Sequence, residues 1–210
     1  MRALGIFLQA PIPGRVKPRL AEDVGPSTAA ELYWQVGRRV VTSVAGSGYR
    51  TIIWFTPPTE GPFVREWLDG VGRIELRPQG GGGLGERFVH AFARHFADGA
   101  RRAIIVGTDC PGVERRHVTE AFAALDGRDV VLGPTQAGGV YLIGLREPQP
   151  ALFRGVHWSS PAVQAQLKAR AAGARLVPHL LRPLREVETL QDARALGLLT
   201  GRSNIDGTST

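Results

Sequence analysis

The feature that most constrains the fold is the alternation of short apolar runs with longer helical patterns. Residues 4–8, 51–55 and 103–106 are apolar runs of strand length. Between the first two, residues 26–44 place apolar side chains at intervals of three and four, as on one face of a helix. This alternation is typical of βαβ units. It predicts an α/β, Rossmann-like domain whose mostly parallel sheet carries helices on both faces.

The chain length favours one domain. A chain of 210 residues is long enough to bury a core of its own, and no repeat or long linker interrupts the pattern. We expect a nucleotide-binding domain over residues 1–200 and a polar tail over 201–210. Further strands are predicted at 73–76, 130–132, 140–145 and 176–181, further helices at 63–68, 84–97, 113–125, 161–172 and 190–199, and a loop at 9–20.

Charge and composition narrow the function classes. Hydrophobic residues make up 43% of the chain and charged residues 21%, which is close to the globular average and argues against wholesale disorder. The net charge is +7, and Lys17 and Lys168 are the only lysines. The arginine excess indicates either a GC-rich genome or a preference for anions such as phosphate. A nucleic-acid partner is not expected, because no Lys/Arg run has interleaved aromatic residues.

Cysteine content and the N-terminal run bear on location. Cys110 is the only cysteine, so an intramolecular disulfide is excluded, in keeping with a reducing compartment. The apolar run at residues 4–8 is too short for a signal segment or a membrane span. We therefore expect a cytoplasmic protein without a membrane partner.

The loop after the first predicted strand is basic. Arg15, Lys17 and Arg19 lie within five residues, and Gly14 lets the backbone approach a ligand. Such a loop suits a polyphosphate, although it lacks the G-x-x-x-x-G-K-[ST] pattern of P-loop proteins. The alternative is a solvated basic loop.

A glycine-rich segment precedes the helix predicted at 84–97. Glycines at 80–83 and Gly85 could let a base or ribose lie against the main chain, and Gln79 carries an amide able to pair with a base edge. We expect Gln79, Gly82, Gly83, Leu84 and Gly85 to contact the nucleoside. The alternative is a mobile surface loop.

Acidic residues follow a buried strand and recur late in the chain. Asp109 comes directly after the strand predicted at 103–106, where a carboxylate can hold Mg²⁺ or Mn²⁺ against phosphate oxygens. The alternative for Asp109 is a helix N-cap. Glu186 and Glu188 lie on one face of an extended segment and either complete the metal site or form a solvated edge. Cys110 is interpreted as a small buried residue.

Several of these segments together resemble a known group of proteins. The chain is similar to bacterial glycosyltransferase-A-type proteins related to the guanylyltransferase of deazaflavin-cofactor biosynthesis. It is more distantly similar to the molybdenum-cofactor guanylyltransferase and to sugar-phosphate nucleotidyltransferases. The resemblance runs from about Leu4 to Leu196. The segments that carry it are 13–20, 84–87, 107–111, 130–134, 138–145 and 158–160.

The resemblance implies a fold and a set of roles. The fold is that of the nucleotide-diphospho-sugar transferases. The implied nucleotide site comprises the basic loop, the segment 79–85 and Thr108, with Lys17 and Asp109 as catalytic residues. Metal binding would fall to Asp109, with Glu186 or Glu188 as a second ligand. The acceptor pocket would be formed by Gly138, Gly139, Tyr141 and Trp158.

The chain departs from the group's pattern in its acidic residues. Ala137 stands where an acid usually precedes the paired glycines, and Gly83 where an acid is common. The late Asp-Val-Asp of the group is Glu186-Val187-Glu188 here. These departures leave open a protein that binds nucleotide without turning it over.

The expected activity is that of a transferase dependent on Mg²⁺ or Mn²⁺. The first hypothesis is a nucleotidyltransferase, which moves a nucleotidyl group from a nucleoside triphosphate to a phosphorylated small-molecule acceptor. The alternatives are a glycosyltransferase that uses a nucleotide sugar and a non-catalytic nucleotide-binding protein. A homodimer is left open.

Overall fold

The computed structural model describes residues 1–46 and 48–199, and within them one seven-stranded sheet forms the centre of the molecule. The predicted tail at 201–210 lies outside the described residues. The strands are β1 (Arg2–Gln9), β2 (Arg50–Thr56), β3 (Glu75–Pro78), β4 (Arg102–Gly107), β5 (Val130–Pro134), β6 (Val140–Leu145) and β7 (His179–Leu180). The helices are α1 (Pro18–Val24), α2 (Pro26–Val44), α3 (Gly61–Trp67), α4 (Leu84–Ala97), α5 (Arg115–Ala124), α6 (Val163–Gly173) and α7 (Leu190–Ala195).

The sheet is mostly parallel, as predicted. Its strand order is β3-β2-β1-β4-β6-β5-β7. Only β6 runs antiparallel, against both β4 and β5. The central strand β1 pairs in parallel with β2 and β4 along most of its length.

Helices cover both faces of the sheet. Leu4 and Ile6 of β1 face a core formed with α1, α2, α3, α5 and α7, whereas Phe7 faces a second core formed with α4 and α6. Side chains alternate between the faces of a strand, and a sheet covered on both faces buries both sets. The predicted three-layer α/β architecture is therefore confirmed. No helix in the described part of the chain is both long and apolar enough to cross a bilayer.

The predicted and observed element boundaries agree best for the longest periodic segments. The helices predicted at 26–44 and 84–97 have those bounds. The predicted loop at 9–20 is too long, because Pro18 stands in the first turn of α1, where proline suits a helix start. The third strand lies at Glu75–Pro78 rather than 73–76, where it pairs with β2. The late strand predicted at 176–181 is reduced to His179–Leu180.

The topology brings several loops to one edge of the sheet. The parallel strands β1, β3 and β4 end at Gln9, Pro78 and Gly107. Because β6 runs the opposite way, its first residue, Val140, lies at the same edge. In open α/β sheets, ligands bind beyond the carboxyl ends of the strands. The basic loop, the glycine-rich segment and Asp109 follow these three strands in turn.

The packing of α4 on the sheet generates a stability prediction. Phe92 is 2% exposed and stacks on Phe88 and Phe153, with ring centroids 6.5 and 5.7 Å away. Phe92→Ala should lower the free energy of unfolding by about 3–5 kcal/mol, because it leaves a cavity in the core. Urea denaturation measures the change. Phe63→Ala removes a ring that is 40% exposed and is the control. Equal losses in the two variants would contradict this account of the core.

Candidate functional site

A cavity of about 820 Å³ lies at the carboxyl edge of the sheet. It is walled by the loops that follow β1, β3 and β4, by the start of β6 and by two later segments, 158–163 and 186–188. The predicted site residues that line it are Arg15, Lys17, Arg19, Gln79, Leu84, Thr108, Asp109, Gly139, Tyr141, Trp158, Glu186 and Glu188.

A second, more apolar groove of about 640 Å³ adjoins this cavity. Leu84 and Trp158 border both spaces, whereas Gly83 and Gly85 line only the groove. The structure thus divides the glycine-rich segment between the two spaces. Gly14, Gly82 and Gly138 line neither.

Lys17 is the central charged group of the cavity. The residue is only 8% exposed, and its ammonium forms ion pairs with Asp109 and with Glu188, the latter at 2.5 Å. Burial by itself would lower the pKa of Lys17, but the charges and hydrogen bonds of the two carboxylates outweigh it and raise the pKa above its ordinary value. Lys17 is therefore a buried ammonium that depends on its two anionic partners.

The backbone conformation of Lys17 is unusual for a residue other than glycine. Its φ is +48°, in the left-handed region, and it precedes the first residue of α1. Non-glycine residues adopt this conformation at a cost of roughly 1–3 kcal/mol. The loop before it is braced by the Gln9 side chain, which donates to the Arg15 carbonyl at 2.8 Å. The fold thus imposes this conformation where Lys17 meets its carboxylates.

Residues 186–188, the late acidic segment, are held beside Asp109 by one backbone hydrogen bond. Val187 is buried, and its N–H donates to the Asp109 carbonyl at 2.9 Å. The flanking Glu186 and Glu188 both line the cavity. Glu186 accepts a hydrogen bond from the Thr135 hydroxyl at 3.3 Å. Burial, Glu188 and Asp109 together raise the pKa of Glu186.

Asp109 does not cap a helix. Helix α5 begins at Arg115 and has Glu114 at its N-cap position. The Asp109 carboxylate instead pairs with Lys17, and its side chain is about half exposed, at 47%. The helix-cap alternative is therefore wrong, and the carboxylate faces the cavity.

The neighbouring Thr108 belongs to a hydrogen-bond chain that the sequence pattern did not reveal. The Gln9 N–H donates to the Tyr33 hydroxyl at 3.1 Å, and the Tyr33 and Thr108 hydroxyls are 2.8 Å apart. Thr108 donates in turn to the Phe7 carbonyl at 3.2 Å. Burial and the nearby Asp109 raise the pKa of Tyr33 to about 12. Tyr33 shares the apolar spacing of α2, so the sequence offered no signal of its place beside Asp109.

Gln79 and Arg87 form a second polar pair in the cavity wall. Gln79 is 4% exposed, and its amide donates to the carbonyls of Leu8 and Trp54 at 3.2 and 2.9 Å. Arg87 donates to the Gln79 side-chain oxygen at 3.3 Å and to the Gly82 carbonyl at 3.0 Å. Base recognition by Gln79 stays a prediction, and its amide already has a structural role. Arg87 is a cavity cation that the prediction missed, although it belongs to the segment 84–87.

The charges lining the cavity are of both signs. Four cations, Arg15, Lys17, Arg19 and Arg87, meet three carboxylates, Asp109, Glu186 and Glu188. Within residues 1–46 and 48–199, Lys17 pairs with two of these carboxylates, whereas Arg15 and Arg19 form no ion pair and are exposed. The arginines of the loop are thus accessible to an anionic ligand.

The carboxylates offer the right donor chemistry for a hard cation but not a complete site. Mg²⁺ and Mn²⁺ prefer oxygen ligands and are often bound by one or two carboxylates plus substrate phosphates. In the described ranges, no three His, Cys, Asp or Glu side chains converge closely enough to hold a metal ion. Asp109 and either glutamate therefore fit such an ion only as a partial ligand set.

Of the predicted acceptor residues, Gly139, Tyr141 and Trp158 line the cavity, whereas Gly138 lies outside its lining. Gly138 has a φ of +88°, and a Cβ there would lie 1.8 Å from the Pro161 carbonyl oxygen, so only glycine fits. Tyr141 is buried and donates to the Arg182 carbonyl at 3.2 Å. Trp158 stacks on Phe88 with ring centroids 5.0 Å apart and separates the cavity from the groove.

Comparison with known families identifies the group. Residues 40–160 match the family described as "Uncharacterized protein conserved in bacteria (DUF2064)". The chain belongs to this family. No curated protein matches it by sequence.

Solved structures support the fold. A candidate nucleotide-diphospho-sugar transferase from Desulfovibrio desulfuricans G20 is 30% identical, with a TM-score of 0.85 over 99% of this chain and 91% of that one. A 4-diphosphocytidyl-2C-methyl-D-erythritol synthase from Anaerococcus prevotii DSM 20548 is 11% identical, with a TM-score of 0.61 over 94% and 97%. A manganese complex of Rv0371c from Mycobacterium tuberculosis H37Rv is 16% identical, with a TM-score of 0.51 over 93% and 98%. The chain has the nucleotide-diphospho-sugar transferase fold.

The crowding of carboxylates around Glu186 predicts a pH-dependent stability change. An acid whose pKa is raised on folding destabilises the fold once it is ionised, and this cost disappears as pH falls through its folded pKa towards its unfolded value. Glu186→Gln keeps the acceptor for Thr135 and removes the charge. The variant should be more stable than the parent near neutral pH, with a difference that shrinks at mildly acidic pH. Urea denaturation at both pH values measures it. A variant less stable than the parent at neutral pH would contradict the prediction.

Proposed function

We propose that the protein is a metal-dependent nucleotidyltransferase that moves a nucleotidyl group from a nucleoside triphosphate to a phosphorylated small molecule. The observation that carries the proposal is the juxtaposition, in one cavity, of accessible arginines with a carboxylate cluster bridged by Lys17. Arginines suit the phosphates of the donor, and carboxylates suit the cation that accompanies them.

In this reaction an oxygen of the acceptor phosphate attacks the α-phosphorus of the triphosphate. A new P–O bond forms, the bond between the α- and β-phosphates breaks, and pyrophosphate leaves. Arg15 and Arg19 would hold the β- and γ-phosphates through charged hydrogen bonds, and Lys17 would meet the charge that develops during transfer. Catalysis would consist mainly of positioning and charge neutralisation.

The remaining groups would orient the two substrates. The segment 79–85 would hold the nucleoside, and Gly139 and Trp158 would border the acceptor. Asp109, with Glu186 or Glu188, would hold Mg²⁺ or Mn²⁺, which when bound supplies positive charge to the phosphate oxygens. A preference for guanosine would support the finer relation to the cofactor guanylyltransferases.

A glycosyltransferase that uses a nucleotide sugar is the second candidate, favoured by the match to the Desulfovibrio protein. The two reactions differ in their leaving group. Incubation with each nucleoside triphosphate, Mg²⁺ and a panel of sugar phosphates should release pyrophosphate if the first proposal is correct. Release of a nucleoside diphosphate from a nucleotide sugar supports the second. Tight nucleotide binding with neither product would favour a binding protein, in line with Ala137.

The basic loop generates a binding prediction. Arg15→Ala should weaken binding of a nucleoside triphosphate by about 1.5–3 kcal/mol, the range for a hydrogen bond to a charged group. Titration calorimetry measures the affinity. Arg101→Ala removes an exposed arginine that does not line the cavity and is the control. Unchanged affinity in Arg15→Ala would place the phosphates elsewhere.

The metal role of Asp109 generates a further prediction. Asp109→Asn keeps the shape of the side chain and removes its charge. The variant should lose the increase in nucleotide affinity that Mn²⁺ brings to the parent, because the ion loses its main protein ligand. Calorimetry with and without Mn²⁺ measures the increase, and the melting temperature reports on the fold. An undiminished Mn²⁺ effect in a folded variant would remove Asp109 from the metal site.

A further inference from the structure

The Lys17 ammonium is paired with two carboxylates that the proposed divalent cation would need as ligands. It contacts the Asp109 carboxylate and, at 2.5 Å, the Glu188 carboxylate. We propose that Lys17 competes with the divalent cation for these carboxylates, and that the phosphates of the nucleotide relieve the competition by drawing Lys17 away. This inference rests on the proposed function, because it concerns the same metal and nucleotide.

Lys17 and a divalent cation would compete because both are positively charged and both need the same carboxylate oxygens. Asp109, Glu186 and Glu188 all line the cavity, and the Lys17 ammonium pairs with Asp109 and Glu188. The ammonium and the ion would need the same oxygens. Two cations side by side in a partly desolvated site also repel each other strongly. Hence the ion should bind weakly while Lys17 holds both carboxylates.

The exchange requires another anion for Lys17. A buried ammonium is costly unless it is paired with an anion. Lys17 can therefore leave the carboxylates only if another negatively charged group takes their place. Lys17 lines the cavity, and the exposed Arg15 and Arg19 of the same loop are placed to attract phosphates to it. The flexible stem of a lysine allows its head group to turn between partners without a backbone shift. The phosphates would then pair with Lys17 and vacate the carboxylates.

The order of binding follows from this exchange. A metal ion alone has to displace Lys17 without offering it an anion, whereas a nucleotide brings that anion and further oxygen ligands for the ion. Nucleotide and metal should therefore bind cooperatively, and the cooperativity should originate at Lys17. Glu186, which hydrogen-bonds to Thr135 and forms no ion pair with Lys17 in the described part of the chain, is the carboxylate left for initial contact.

The test is a titration with Mn²⁺ alone, followed by the electron paramagnetic resonance signal of the free ion. Lys17→Met removes the charge and keeps an unbranched stem. It should bind Mn²⁺ on the order of tenfold more tightly than the parent, because the competitor for the carboxylates is gone. Arg19→Met removes a charge that lines the same cavity without contacting the carboxylates and is the matched control. It should change the affinity much less than Lys17→Met does.

Loss of Lys17 leaves carboxylates without their partner, so stability is measured as well. Mn²⁺ should raise the melting temperature of Lys17→Met more than that of the parent, since the ion takes the place of the ammonium. This holds even if the variant is partly unfolded without metal. The inference would be overturned if Lys17→Met and the parent had equal Mn²⁺ affinity and were equally stabilised by Mn²⁺. It would also be overturned if Lys17→Met and Arg19→Met gained Mn²⁺ affinity equally. A parent that binds no nucleotide would instead overturn the proposed function.

Discussion

The buried ion pairs of Lys17 are the interaction on which the arrangement of the cavity depends. An ammonium with little access to water is tolerated only beside anions, and here two carboxylates meet it. These groups come from the loop after β1, the end of β4 and the segment before α7, which are far apart in the chain. Pairing at Lys17 therefore joins these three segments in one wall of the cavity. The backbone hydrogen bond from Val187 to Asp109 also joins the end of β4 to the segment before α7.

The sheet topology explains why these segments can meet at all. The loops that follow the parallel strands lie at one edge of the sheet, and the antiparallel strand β6 begins at that same edge. Aromatic stacking of Phe7, Phe88 and Trp158 then connects the sheet to the border between cavity and groove. Against this rigid frame, the carboxylate cluster is electrostatically unfavourable, as the raised pKa of Glu186 indicates. Groups held at such a cost are typical of functional sites.

The comparisons separate fold from chemistry. Chains only 11–16% identical to this one share its fold over more than nine-tenths of its length. The sheet and its helices tolerate this divergence, because a core needs apolar volume rather than particular residues. Substrate choice depends on a few side chains at the carboxyl edge. In this chain Ala137, Glu186 and Glu188 line the cavity at that edge and differ from the pattern of the group it resembles.

The sequence by itself determined the architecture and the places where chemistry could occur. Long periodic segments such as 26–44 and 84–97 specified their helices, because a repeat of three and four encodes a buried face locally. The basic loop and Asp109 were predictable because they follow apolar strand-like runs. Tertiary structure alone decided that Lys17 pairs with Glu188, a contact across 171 positions, that Tyr33 bonds to Thr108, and that Arg87 joins the cavity. Periodicity records which face of an element is buried, whereas the partner of a polar side chain is decided only when distant segments pack together.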